Sequence, residues 1–325
     1  MPRFPRTAVV APAALVIGLL ATAPAAGDEP LVSNARVIAH FDLAAGQTPE
    51  NVVAERGGSV DVSFAFARQV ARVTRERRVR VLATLPAERS PRTPLLNSAV
   101  TLGLARAHDG TLYVNYATGT DRTGIWRVPA GGGTPEQIAE LPSDGLPNGL
   151  ALDERHGVLY AADSVLGTVW RVPQAGGTPT AWATGSALAH LPGPAGGFGA
   201  NGVQVHMDAV WVTNSDLGTL LRIPVGEDGT AGPVETKATG LAGVDDFVFP
   251  GHSDLVLAAL NPSNEVVLVH PDGTRATVLT VQEGLSNPTS LAVQGRDVYV
   301  AGDAYSTQRD PNLLKARLRA HFVRS

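Results

Sequence analysis

Six residues of the 325-residue chain stand at equivalent places in six related segments: Glu50, Leu102, Asn148, Asn201, Asp245 and Thr289. Each leads into a short apolar run, as in NGLAL and NGVQV, and Leu102, Asn148 and Asn201 are each followed by Gly. Four of the six, Glu50, Asn148, Asn201 and Asp245, offer carboxylate or carboxamide oxygens. Taken singly, Asn, Asp or Thr at the start of a strand is explained by side-chain bonds to nearby backbone. Taken together, with two carboxylates among them, they form a donor set for a hard cation, which takes roughly six to eight oxygens. None is His or Cys, which argues against zinc and copper.

For these oxygens to meet, the chain must bring distant segments together, and its repeats do so. The third copy reads NGLAL…GVLYAAD…GTVWRVP, the fourth NGVQV…AVWVTNS…GTLLRIP and the fifth DDFVF…DLVLAAL…NEVVLVHP. The first (ENVVA…GSVDVSF…QVARV), second (LGLAR…GTLYVNY…GIWRVP) and sixth (TSLAV…RDVYVAG…PNLLKARL) keep the same order. Apolar and polar residues alternate within each run, and Gly, Asp or Pro sits between runs, the pattern of strands and turns. Outer segments such as TPTAWAT and RATVLTV supply a fourth strand. Repeats of this length signal a propeller or solenoid. Four strands in six copies predict an all-β fold, a six-bladed β-propeller. The innermost strand of each blade lines a central channel, so the six opening residues are expected to face one another at one mouth. The sixth copy lacks a fourth strand of its own. Ala35–Asp42, ARVIAHFD, is expected to supply it, closing the ring between the two ends of the chain and leaving no open edge.

Hydrophobic residues make up 44% of the chain and charged residues 17%, as in a globular domain with a real core. The net charge is −4, and the basic run RERRVR at Arg75–Arg80 is too short to indicate nucleic acid. Arg3 and Arg6 precede an apolar run, Ala8–Thr22, and APA at Ala23–Ala25 has the small-residue pattern of a cleavage site. Residues 1–25 are therefore expected to be a Sec-type signal peptide, and residues 26–325 an exported propeller, extracellular or periplasmic. The apolar run falls short of the about 20 residues a spanning helix needs, so no stable membrane insertion is expected after cleavage. The chain has no Cys, which excludes disulfides, thiolate catalysis and Cys-ligated metals. A monomer is expected.

The stretches TPENVVAE, LPNGLALDERHGVLYAADS, GANGVQVH and GVDDFVF resemble the SMP-30/gluconolactonase/LRE-like family, six-bladed propellers that include regucalcin and bacterial sugar lactonases. The resemblance spans nearly all of the chain after the signal. It implies one divalent metal at the channel mouth, held by Glu50, Asn201 and Asp245, with Asn148 at the substrate. It also marks departures. Where the lactonases carry an arginine ahead of the third-blade Asn, this chain has Leu146-Pro147, and their NDG becomes Asn148-Gly149-Leu150. The implied metal ligands are kept, while the groups that hold a sugar acid are not.

These features lead to the expectation of a metal-dependent hydrolase of a lactone or similar cyclic ester, acting on a small molecule. Calcium is the expected ion, ahead of magnesium, manganese or zinc. Asp245 is expected to be general base as well as ligand, and Asp246 to point away in a structural role. Two alternatives use the same pocket: a cyclase, pericyclase or isomerase of secondary metabolism, and a non-catalytic ligand-binding propeller. The long loops Pro86–Val100 and Gly185–Ala200 are candidate walls or lids, with His190 and Phe198 in reach of the site. Tyr116, Asp163, Asn214 and Asn261 are expected to rim it. His108, His156, His206 and His252 fall in the first turn of successive blades, on the opposite face. Ser164 and Ser215 lack a Gly-x-Ser-x-Gly context, so a serine hydrolase is unsupported.

Overall fold

The computed structural model describes residues 31–193 and 197–319, so the expected signal segment lies outside the described residues. The described chain forms six sheets of four antiparallel strands. Five of them run in chain order. Blade three, for instance, is Pro147–Asp153, Val158–Asp163, Thr168–Pro173 and Thr180–Thr184. The sixth closes the ring, because Pro288–Gln294, Asp297–Gly302 and Asn312–Leu318 take Val32–His40 as their outer strand. Val32 pairs with Leu318 and His40 with Asn312. The closing strand is the one expected from the sequence, but it begins at Val32 rather than Ala35. Among the described residues no helix is long and apolar enough to cross a membrane.

The period-two alternation of each strand serves two interfaces at once. In Val158–Asp163, the side chains of Val158, Tyr160 and Ala162 enter the core shared with blade four, while Leu159 and Ala161 enter the one shared with blade two. Ala209 and Trp211 likewise pack toward blade five, and Val210 and Val212 toward blade three. Six such cores follow one another around the ring, which fixes each blade against both neighbours.

Every inner strand carries a register shift where its opening residue stands. The shifts lie between Pro49 and Asn51, Thr101 and Leu104, Pro147 and Leu150, Ala200 and Val203, Val244 and Phe247, and Pro288 and Ser290. A bulge re-aims a side chain out of the ladder, here toward the mouth. The next residue then lies where neighbouring inner strands come closest. A Cβ at Gly103 would sit 2.3 Å from the Asn148 carbonyl oxygen, and one at Gly149 2.4 Å from that of Asn201. This explains the recurrent Asn-Gly: Asn faces the mouth, and Gly lets the next blade close. In the other three blades the same position is Asn51, Asp246 or Ser290, and these bond to one another. Asn51 Nδ2 and Ser290 Oγ both donate to Asp246 Oδ2, at 2.9 and 2.8 Å. Asp246 thus has the structural role expected of it, within the layer directly beneath the mouth rather than turned away from the channel.

Candidate functional site

Glu50, Asp245 and Asp303 meet at the mouth. Burial lifts the Glu50 carboxyl to about 7, against the opposing hydrogen bond from Tyr305. Burial, and then the charges of Glu50 and Asp303, push Asp245 well above the usual carboxylate range. Asp303 is lifted to about 8 by burial and by Glu50. Beneath them Asp246 is raised to about 6 by burial, with its hydrogen bonds to Phe247, Ser290 and Asn51 pulling the other way. Among the described residues none of these four carboxylates pairs with Lys, Arg or His. Burying an ionised carboxylate with no counter-charge is strongly unfavourable, so the raised values mark the cost of holding these acids together.

Two carboxamides flank the acids, each held in the same way. Asn148 Nδ2 donates to Ser164 Oγ at 3.2 Å, and Ser164 Oγ donates to the Ala200 carbonyl at 2.8 Å. One blade on, Asn201 Nδ2 donates to Ser215 Oγ at 2.8 Å, and Ser215 Oγ to the Val244 carbonyl at 2.5 Å. Each serine accepts from an amide nitrogen and ties it to the next blade, and a side-chain hydrogen bond from Asn201 also reaches Asp245. Ser164 and Ser215 are therefore positioning groups. Their counterparts at the end of the second strand are Asn261 in blade five and Asp303 in blade six. Asn261 Nδ2 donates to Asp303 Oδ2 at 3.0 Å.

Asp303 and Tyr305 were not singled out from the sequence. Asp303 was within reach of the repeat alignment, applied to the second strand as well as the first. Tyr305 was not, because it lies in the irregular link between Gly302 and Asn312. Its hydroxyl donates to Glu50 Oε2 at 3.0 Å. Burial and the Glu50 and Asp303 charges push the phenol well above its usual range, which keeps it protonated and a donor.

Other expected positions fall elsewhere. Thr289 Oγ1 donates to the Pro49 carbonyl at 3.1 Å, tying blade six to blade one. Leu102 packs in an apolar cluster with Ala65, Val100, Ala117 and Leu146, and half-buried Phe198 rests on it. His190 instead places Nδ1 against the Leu191 carbonyl. Of the four expected rim residues only Asn261 reaches the acids. Tyr116 bonds the Pro86 carbonyl, Asp163 accepts from the Leu146, Val165 and Leu166 amides, and Asn214 donates to the Ala187 and Ala189 carbonyls. These three brace loops. The first-turn histidines lie apart: His108 beside Glu154 at 2.9 Å, His156 beside Asp153 at 2.7 Å, and His206 stacked on Phe249 at 3.8 Å. A groove of about 550 Å³ near that turn, lined by Asp153, His156 and Arg171, shares no residue with the mouth.

Among the described residues no three His, Cys, Asp or Glu side chains form a metal-holding group by themselves. A cation at the mouth would draw on a mixed set, Glu50 and Asp245 with the Asn201 oxygen, and with Asn148 and water beside them. The chemistry of that set fits a hard cation. All its donors are oxygens, and its acids are desolvated without a cationic partner.

Fold and site together define an all-β, six-bladed propeller with an acidic channel mouth. Solved structures of similar fold include regucalcin, a calcium-binding protein from Agrobacterium tumefaciens strain C58, at 17% identity over 88% of this chain and 96% of that one, TM-score 0.63. They also include a protein named as a candidate gluconolactonase, at 16% identity over 88% and 92%, TM-score 0.62. A third is virginiamycin B lyase from Staphylococcus aureus, at 16% identity over 84% and 82%, TM-score 0.57. At these identities the likeness is one of fold. No protein-family model matches the chain, and no curated protein is similar to it.

Proposed function

We propose that the protein is an exported, cation-dependent hydrolase that opens a lactone or similar cyclic ester at the channel mouth. The observation that carries this reading is the group of buried acids, Glu50, Asp245 and Asp303, which no basic side chain among the described residues neutralises. Glu50, Asn201 and Asp245 would hold a divalent cation, calcium first among them, and that ion would supply the positive charge that polarises an ester carbonyl and acidifies water. Tyr305 fixes one oxygen of Glu50 by donating to it, leaving the other free. Asn148, held by Ser164, offers its carboxamide oxygen to a substrate hydroxyl or to water. Asp245 takes the proton from water as the water oxygen bonds to the ester carbon. The ring carbon–oxygen bond then breaks, and the same proton passes to the departing oxygen, giving a hydroxy acid.

The test is a panel of lactones and cyclic esters with the purified chain, in calcium buffer and in chelator. Turnover that chelator abolishes and calcium restores supports the proposal. One neighbour of similar fold is a lyase, so product mass is read as well, because hydrolysis adds one water and elimination adds none. No turnover across a calcium-replete panel, or a product without the added water, would end the hydrolase reading.

A further inference from the structure

Resting on the reading above, we infer that the ester carries an apolar alkyl substituent, seated against the side of the mouth formed by blades one to three, and not the hydroxyls of a sugar. The mouth has two unlike sides. Where other blades place Ser164, Ser215, Asn261 and Asp303, blades one and two place Ala65 and Ala117. The opening residue of blade two is Leu102, where others offer oxygen. These three, with Val100 and Leu146, make a buried apolar floor, and half-buried Leu96, Val165 and Phe198 pack on it.

This apolar side is continuous with the acids. Tyr305 donates to Glu50 Oε2, while its ring packs on the apolar floor and edge-on to Phe66, with centroids 5.8 Å apart. One side chain therefore joins the proposed reacting end to the apolar side.

The same face also holds large apolar side chains out in water. Leu95 is 50% exposed and Phe66 39%, with Leu166, Leu191 and Leu217 about as open as Phe66, and all five lie in loops or turns at the mouth end of the blades. Their loops are pinned. The Asp216 carboxylate accepts from the backbone amides of Leu191, Gly197 and Phe198. Leu95 reaches the second loop, since a Cβ at Gly197 would lie 3.8 Å from its Cδ1. The loops that follow blades one and three thus meet above the apolar floor. Core packing accounts for Leu102 and Leu146 but not for exposed leucines on anchored loops. Apolar side chains grouped at the rim of a polar site are the features of a ligand seat. A polyol would leave its hydroxyls unpaired against this side, which rejects it more strongly than a missing methylene would.

The inference is tested by calorimetric titration of the full chain in calcium buffer with γ-lactams, which resist hydrolysis, bearing methyl, butyl or octyl chains, and with gluconolactam. Affinity should rise roughly twofold per methylene, about half the effect of full burial, with gluconolactam the weakest. Phe198→Ala should flatten that rise. Leu95→Ala, at an exposed position, should flatten it in part without risk to folding. Affinity independent of chain length, or a rise that both variants leave intact, overturns the inference. Binding is read separately from turnover. Chain-dependent binding with no lactone hydrolysed sinks the hydrolase reading and leaves the apolar seat standing. Hydrolysis at a rate indifferent to chain length, with chain-independent lactam binding, does the reverse.

Discussion

The protein buries acids in two places and treats them in opposite ways. At one end of the inner strand Pro49–Ala54 is Glu50, at the mouth; just beyond the other end is Glu55. Glu55 and fully buried Asp61 share two guanidiniums. Arg72 Nε lies 2.7 Å from Asp61 and 3.4 Å from Glu55, and Arg106 lies 3.1 and 2.8 Å from the same two acids. Two acids meet two bases, and blades one and two are joined by a neutral cluster. At the mouth, Glu50, Asp245 and Asp303 meet each other and, among the described residues, no base. Burial of charge is common to both ends and marks neither as a site. The absence of an answering charge among the described residues is what separates the mouth from the brace.

Breaking the brace should give the largest effect. Asp61→Asn leaves two guanidiniums with a single carboxylate, Glu55, at an expected loss of about 3 kcal/mol, the low end for a broken buried pair because Glu55 remains and both arginines keep some contact with water. Urea denaturation measures it, and calcium affinity should not move. A wild-type midpoint would show that the pairing contributes little. Asp245→Asn is the opposite case. It removes a repelled charge, so the cation-free chain should be no less stable, yet turnover at saturating calcium should fall by roughly 10²-fold or more. Wild-type turnover in that variant would remove Asp245 from its role as base.

The two clusters also differ in their response to pH. At the mouth the folded chain holds protons more tightly than the unfolded chain, with Glu50 raised from 4.5 to about 7 and Asp303 from 3.8 to about 8. Their stabilising contribution is complete below the unfolded values and is lost as pH rises through the folded ones. The melting temperature in chelator should therefore fall by a few degrees between about pH 6.5 and 8. That window lies above the range where His206, depressed by burial, gives the opposite slope. Saturating calcium should flatten the fall, since a cation competes with those protons. A melting temperature that rises across the window in chelator would mean that the acids have a partner after all.

This contrast was only half legible in the sequence. The repeat carried the blade count and the closing strand, because a propeller converts equal spacing into shared position, and with them the approach of Glu50 and Asn201 to Asp245. Asp303, just past the second strand of its blade, is reached by the repeat only when that strand is compared as well, and Tyr305 belongs to no repeat. Pairing was less legible still. Glu55 and Glu50 look alike in sequence, and only the fold shows that Arg72 and Arg106 reach one and not the other. The role of Asn-Gly was hidden for another reason. It needs the bulge that re-aims the Asn and the 2.3–2.6 Å approach that forbids a side chain at Gly103, Gly149 and Gly202, both products of neighbouring blades.

The smallest effect tests how finely the mouth is set. Ser215 accepts from Asn201 Nδ2 and donates to the Val244 carbonyl, so it holds the Asn201 amide in one orientation beside the acids. Ser215→Ala removes that constraint, so a cation drawing on the Asn201 oxygen would meet a ligand that is no longer held in place. Calcium affinity should fall about tenfold, the usual size of losing a group that orients a ligand. The hydroxyl also contributes to stability, so a control must remove a similar bond without touching an amide. Ser63 supplies one. It is buried, accepts from the Asn51 amide and donates to the Leu102 carbonyl of the next blade at 2.6 Å. Ser63→Ala should destabilise by about 1 kcal/mol, as Ser215→Ala should, but should leave calcium affinity unchanged. Equal losses of affinity in the two variants would mean that the serine only holds blades together. A loss confined to Ser215→Ala would show that the mouth depends on how one carboxamide is held, a level of setting that the arginine-paired brace at Asp61 does not require.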